Sequence, residues 1–180
     1  MAYNRKVDSL AKFGVKRPFG ASFDADLERI RKIAVESARD IAKAAYRKIV
    51  RSSPIWAGDY IRSHRIGIGG PSDEPPCYEG RDSMILVNNM VDDDLVPPEA
   101  SMAQKMAFRQ EAEKRIGALN TYSNLRKKIH LTNAVSHCNI VEFLGTPKVR
   151  EGYHVYTSTA SWLFMVGAQD IIDKVEARHK

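Results

Sequence analysis

Residues 24–52 read DADLERIRKIAVESARDIAKAAYRKIVRS, and apolar side chains recur along them every three or four positions. These positions are Leu27, Ile30, Ile33, Ala34, Ala38, Ile41, Ala44, Ala45 and Ile49. The spacing predicts one long amphipathic helix, which Asp24 is expected to cap by accepting backbone N–H bonds. At 1.5 Å per residue such a helix reaches roughly 40 Å, which is longer than the core of one small domain. We therefore expect part of it to pack on a neighbouring molecule.

The residues before this helix have a different character. Residues 1–22 include Gly14, Pro18 and Gly20, carry five Lys/Arg against one acid over positions 1–20, and show no sustained period. They predict a basic extended arm that orders on contact. The cations expected to make its contacts are Arg5, Lys6, Lys16 and Arg17.

The chain after the helix predicts a turn, a strand and a loop. Pro54 ends the helix, because a residue that precedes proline is biased out of the α region, and Ala57-Gly58 turns the chain. A short helical turn and a strand over residues 64–70 follow. Residues 71–96 then predict a long acidic, proline-rich loop, with seven Asp/Glu against Arg81 over positions 73–94.

The second half of the chain predicts short strands and two helices. We expect strands at residues 83–88, 128–133, 139–144 and 153–157, a helix over residues 98–119 entered through Asp92-Asp93-Asp94 and Pro97-Pro98, and a terminal helix over residues 160–178. The predicted fold class is α+β. A small antiparallel sheet of about four strands packs with the long N-terminal helix and two further helices, in a single domain over residues 23–180.

Composition limits the class of protein. The chain has 180 residues, 43% hydrophobic and 28% charged, which fits one ordinary globular domain and excludes wholesale disorder. Its longest apolar run, residues 162–166, is too short to span a bilayer. The N-terminus lacks the apolar stretch of a secretory signal, so we expect no membrane association and synthesis in a reducing compartment.

No motif predicts an enzyme. The five histidines form no HxxxH or HxH pair, Cys77 and Cys138 have no CxxC spacing, and Gly67-Ile68-Gly69-Gly70 lacks the Lys-Ser/Thr of a phosphate loop. We expect no catalytic residues, no metal and no cofactor. A divalent-metal hydrolase that uses Asp92, Asp93 and Asp94 stays open as the weakest alternative.

A basic nucleic-acid-binding protein is the stronger alternative. Arg126, Lys127 and Lys128 lie next to Tyr122 in sequence, and the basic arm carries Tyr3 and Phe13. Clustered cations release counterions from phosphate and aromatic rings stack on bases, so both segments are candidates for contact with DNA.

Two sequence blocks, in this order, resemble the tail-completion (neck) proteins of long-tailed bacteriophages. The first is residues 53–63, SPIWAGDYIRS, directly after the long helix, and the second is residues 128–145, KIHLTNAVSHCNIVEFLG. The positions that match the family pattern are Pro54, Ala57, Gly58, Tyr60, Arg62 and Ser63 in the first block, and Asn133, Glu142, Phe143 and Gly145 in the second. The chain departs from the pattern at Trp56, at Ser136-His137 and by the insertion of Leu144.

The resemblance implies a structural role in the virion, at the head–tail junction. It implies about six copies in a ring, with head-completion proteins above, a tail-tube or tail-terminator protein below, and DNA passing through the channel. It also implies that Pro54 and Gly58 shape the turn after the long helix and that Asn133, Glu142 and Gly145 shape a hairpin, with Arg62 among the interface residues. The segregated charge of the basic arm and the acidic loop supplies the two unlike faces that ring contacts need.

Overall fold

The structure, a computed structural model, describes residues 19–77, 99–135, 138–144 and 151–179. The helices are α1 (Phe19–Ser52), α2 (Asp59–Arg62), α3 (Met102–Lys114), α4 (Val155–Trp162) and α5 (Ala168–Arg178), and the strands are β1 (His64–Ile68) and β2 (Ile129–Asn133). A 3₁₀ segment, Arg115–Thr121, continues α3. Two π-helical segments complete the order: Ile140–Leu144 before α4, and Leu163–Gly167 between α4 and α5. None of the described helices is both long and apolar enough to cross a membrane.

Helix α1 confirms the predicted long helix and its end before Pro54. Its start was predicted wrongly, because the helix begins at Phe19 and Asp24 therefore lies inside it rather than at a cap. Gly20 disfavours a helix by only about 1 kcal/mol, while each added residue gains a hydrogen bond once the helix has formed. Four residues assigned to the basic arm are thus helical.

The sheet confirms two of the predicted strands. β1 and β2 pair antiparallel, with His64 opposite Asn133 and Ile68 opposite Ile129. The fold is therefore mixed α and β, as predicted, but the described residues form two strands and not four. Residues 139–144 hold a π-helical turn and residues 153–157 include the start of α4, so both of those strand predictions are wrong. Residues 83–88 lie outside the described residues.

Helix α3 begins four residues later than predicted, at Met102. Its start is fixed by a capping box, in which the Ser101 N–H donates to Gln104 Oε1 (2.8 Å) and the Gln104 N–H donates to Ser101 Oγ (3.3 Å). Met102 and Met106, in the first turns of this helix, are exposed. The second half of the segment is the part that packs, since Ala112 and Leu119 are fully buried.

The core lies against the second half of α1. One apolar cluster contains Ile49, Tyr60, Val135, Val141 and Val155, and the other contains Tyr46, Val50, Ile61 and Ala112. Every α1 residue in these clusters lies at or after position 46. The first third of the helix takes no part in either cluster.

Gly58 connects α1 to the sheet in a conformation that favours glycine. Its φ is +99°, and an added Cβ would lie 2.5 Å from Phe108 Cε2. We expect Gly58→Ala to lower the free energy of unfolding by about 2–3 kcal/mol, from left-handed strain and from overlap with the ring. Urea unfolding measures this loss.

Two further variants separate the causes. Gly58→Ala with Phe108→Leu should show less than the sum of the two single losses, since the shorter side chain relieves the overlap. Gly117→Ala, where nothing lies within 4 Å of the added Cβ, should change the free energy by less than about 0.5 kcal/mol. Equal losses at Gly58 and Gly117 would contradict a specific need for glycine at position 58.

Candidate functional site

The structure describes half of the residues predicted to shape the subunit or to make its interfaces. Pro54, Gly58, Arg62, Asn133 and Glu142 are described, whereas Arg5, Lys6, Lys16, Arg17 and Gly145 lie outside the described residues. All five described residues belong to the folded body. Four of them, Gly58, Arg62, Asn133 and Glu142, contact residues of other helices or strands of the same copy.

Arg62 joins α2 to α3. Its Nε donates to Glu111 Oε2 at 3.0 Å, and its guanidinium lies 5.2 Å from the centre of the Phe108 ring. Phe108 is also the ring against which Gly58 packs. Gly58 and Arg62 therefore pack on the same ring of α3, within one copy of the chain.

His64 is the centre of a buried polar network at the start of β1. Its Nε2 lies 2.6 Å from Ser53 Oγ, and its Nδ1 lies 2.8 Å from the Tyr156 hydroxyl and 3.2 Å from Asn133 Nδ2. His64 is fully buried and Ser53 is nearly so. The network therefore connects the end of α1 with β1, β2 and α4.

The partners of His64 determine which ring nitrogen carries the proton. Asn133 Oδ1 accepts the Val135 N–H, so its amide nitrogen faces the ring and can only donate to Nδ1. The hydrogen therefore lies on Nε2 and is donated to Ser53 Oγ, which in turn donates to the Ile49 carbonyl at 2.7 Å. A serine that accepts a hydrogen bond from the histidine in this way has no base to activate it, and the pair acts as a structural link.

Burial keeps this imidazole neutral. Desolvation, followed by the nearby charges of Arg115 and Arg65, lowers the pKa of His64 to about 3. Burial also raises the pKa of Tyr46, which packs edge-on to the same ring, to about 12. The network is therefore uncharged at neutral pH.

Glu142 caps α4 from a distance in sequence. Its carboxylate accepts the Tyr156 N–H (3.0 Å), the Thr157 N–H (2.8 Å) and the Thr157 hydroxyl (2.9 Å), while its own backbone carbonyl accepts the His154 N–H. The residue at the N-cap, His154, supplies no side-chain cap. A buried carboxylate at a helix N-terminus thus replaces the local capping signal.

Arg65 holds the first part of the predicted acidic loop against β1. It is almost fully buried and donates to the carbonyls of Arg62 and Pro75. Its Nε lies 3.1 Å from Glu74 Oε2, and the Cys77 N–H donates to Ser63 Oγ. Residues 71–77 are therefore attached to the body, and the remaining loop residues lie outside the described part of the chain.

The predicted nucleic-acid patch is exposed in part. Arg126, Lys127 and Lys128 are exposed in the turn before β2. Tyr122, predicted to stack on a base, is buried, and its carbonyl accepts a hydrogen bond from Arg39. The prediction that Tyr122 stacks on a base is therefore wrong, while Tyr3 and Phe13 of the arm lie outside the described residues.

The first third of α1 stands clear of the body. Every residue from 23 to 32 is exposed, a length of about 15 Å of helix. Phe23, Leu27 and Ile30 are 55%, 48% and 62% exposed at spacings of four and three, so they form one apolar stripe. Ser37, seven residues after Ile30 and in line with it, is buried. The stripe is thus the uncovered continuation of a face that the body covers further along.

A second apolar surface lies at the π-helical segment between α4 and α5. Phe164, Met165 and Val166 are 94%, 79% and 64% exposed, in three consecutive positions. Gly167 allows the segment to bend around Trp162, since a Cβ there would lie 2.6 Å from the indole ring. We name these residues the C-terminal patch, and Phe23, Leu27 and Ile30 the N-terminal stripe.

The two surfaces lie far apart: the stripe is on the first third of α1, and the patch is in the segment between α4 and α5, beside the other end of α1. Lys48 Nζ lies 5.5 Å from the Trp162 ring, and Arg178 pairs with Glu36 (2.7 Å) and Asp40 (3.1 Å), so the C-terminal helices run antiparallel along α1. Hydrogen bonds from His179 and Arg178 hold the pKa of Glu36 below its usual value. From Leu27 to Lys48 the α1 axis extends about 30 Å. One copy therefore cannot cover its own patch with its own stripe.

Comparison with known proteins gives no match: no family model, no curated protein and no solved structure is similar to this chain. The length of α1 indicated that part of the helix lies outside the core of one copy, but not which part. The sequence pattern gave no indication of the His64 network, whose members are separated by up to 103 positions from Ser53 to Tyr156. The apolar run at 162–166 was visible in the sequence, but its exposure was not.

Proposed function

We propose that this chain is a structural subunit of a bacteriophage neck, which assembles into a ring that joins the DNA-filled head to the tail. The observation that carries the proposal is the N-terminal stripe, an apolar helix face that projects from the body and has no covering element in the described part of the chain. Single exposed apolar residues are ordinary on protein surfaces, but a periodic stripe on a projecting helix indicates a contact surface.

The geometry supports a ring better than a symmetric dimer. A closed ring uses heterologous contacts, in which one face of each copy meets a different face of the next. This chain presents two unlike apolar faces about 30 Å apart along α1. A partner bound at one face therefore leaves the other face available for a second partner. The resemblance to neck proteins suggests about six copies, with head-completion proteins on one side and tail-tube or tail-terminator proteins on the other.

The buried polar groups of the subunit support a structural role rather than a catalytic one. The Ser53–His64 pair is buried and its protons are committed to structural bonds, and Glu142 is used as a helix cap. DNA passing through the channel has the exposed Arg126, Lys127 and Lys128 as its candidate contacts on each subunit.

Deletion of the gene from the phage or prophage that encodes this chain tests the proposal. We expect filled heads and complete tails that do not join, seen as separate particles by electron microscopy, with joining restored by the gene in trans. Virions that assemble normally without the chain would contradict the proposed function.

Substitution of the stripe gives a second expected result, on the isolated protein. Replacing Phe23, Leu27 and Ile30 together with serine should change the free energy of unfolding by less than about 1 kcal/mol, because all three side chains are exposed. The same triple variant should form no oligomers in sedimentation velocity. A large loss of stability would instead show that this part of α1 belongs to the core of the monomer, and the stripe would then not be a free contact surface.

A further inference from the structure

We propose that the N-terminal stripe of one copy docks on the C-terminal patch of the next copy, and that this contact is the repeating interface of the ring. The proposal deepens the function proposed above and rests on it. The rigid α1 helix keeps the two surfaces of one copy apart, so each needs an occupant from another molecule. A second copy provides both occupants at once.

The side chains of the two surfaces can interdigitate in the proposed contact. Phe23, Leu27 and Ile30 follow the four-and-three spacing that, between paired helices, receives side chains from a partner helix. Phe164 projects almost entirely into solvent from the π-helical segment between α4 and α5. In the proposed contact its ring fills the space between the side chains of the stripe.

The apolar area is of the right size. The six side chains each expose on the order of 100 Å², so that together they offer roughly 600 Å² of apolar surface. A specific interface buries about 1,200–2,000 Å² in total, with its apolar part at the centre and polar residues at the rim. The two surfaces therefore supply the centre of one interface of standard size per pair of neighbours.

Charged residues border both surfaces. The part of α1 that carries the stripe exposes the cations Arg29, Arg31 and Lys32 and the acids Asp24, Asp26 and Glu28. Asp173 and Asp170, the latter paired with Lys174, are exposed one to two turns after the patch. Opposite charges at an interface rim favour encounter and fix the register, and the proposed contact sets the three cations against the two acids of α5.

Two single variants test the docking in the full chain. Leu27→Asp removes the stripe and Met165→Asp removes the patch, and neither should unfold the protein, because both side chains are exposed. In sedimentation velocity the wild type is expected to form oligomers, and each variant alone is expected to be a monomer. An equal mixture of the two variants should form a dimer and nothing larger, since it retains one intact stripe and one intact patch.

Two substitutions at exposed alanines outside both surfaces serve as controls. Ala25→Asp, on the opposite side of the same part of α1, and Ala177→Asp, at the exposed end of α5, should assemble as the wild type does. If Met165→Asp assembles and Leu27→Asp does not, two stripes pair with each other and the docking is wrong while self-assembly stands. If both variants assemble, the docking is also wrong and the ring uses other surfaces. A wild type that stays monomeric would overturn the docking and the ring together.

Discussion

The free energy of unfolding is expected to fall by about 1.4 kcal/mol for each pH unit below about pH 6.5, because of His64 alone. Burial lowers the pKa of His64 in the folded state to about 3, from the 6.5 of an exposed histidine. Between these two values only the unfolded chain binds the proton, so acid favours unfolding. Above pH 6.5 neither state binds it, and the effect vanishes. Between pH 6.5 and pH 5 the loss is about 2 kcal/mol.

A comparison of pH profiles isolates this contribution. Urea unfolding of the wild type and of His64→Gln at several pH values should give a profile that is flatter for the variant by about 1.4 kcal/mol per pH unit, since the carboxylates contribute equally to both. Should His64→Gln not fold, long-range ¹H–¹⁵N NMR on the wild type makes the same test. It should show a proton on Nε2 and none on Nδ1 at pH 5. A doubly protonated His64 ring at that pH would contradict the network.

Glu142→Ala is expected to lower the free energy of unfolding by roughly 3 kcal/mol. The substitution leaves the N–H groups of Tyr156 and Thr157, and the Thr157 hydroxyl, without their acceptor at the start of α4. It also removes a negative charge from the positive end of that helix. Tyr156 belongs to the His64 network, so loosening α4 should weaken both structures together.

Matched variants distinguish a cap from a general effect of losing a carboxylate. Glu142→Gln keeps one acceptor oxygen and should lose about 1 kcal/mol, clearly less than the alanine variant. Glu176→Ala removes an exposed acid of α5 and should change the stability by less than about 0.5 kcal/mol. Equal losses for alanine and glutamine at position 142 would show that the hydrogen bonds do not hold the helix.

Regular periodicity predicted the elements that local sequence determines. The three-and-four spacing of α1 and the alternation before Asn133 are local patterns, and both elements are present, although α1 begins five residues earlier than predicted. The strand predicted at residues 153–157 is wrong for a physical reason. The helix that starts there is capped by Glu142 and not by a neighbour in sequence, so no local signal marks its start. The capping box of Ser101 and Gln104 was readable, but Pro97 and Pro98 gave the more obvious signal and the wrong start.

For the candidate surfaces, too, the sequence predicted what local patterns determine and missed what depends on tertiary packing. The length of α1 predicted an uncovered apolar face, and the N-terminal stripe fits that expectation. The resemblance gave residues that shape the subunit, with Arg62 among the interface residues. Where the structure describes them, Gly58, Arg62, Asn133 and Glu142 all make contacts inside one copy. A shared motif can mark residues that shape a subunit, and only tertiary packing shows which face is left uncovered.

Cryo-electron microscopy of the particles formed by the full chain tests the assembly most directly. We expect closed rings of a single stoichiometry, in which residues 23–30 of each copy lie against residues 164–166 of the next. Particles that are symmetric dimers joined stripe to stripe, or a chain that remains monomeric at every concentration, would contradict the proposed ring.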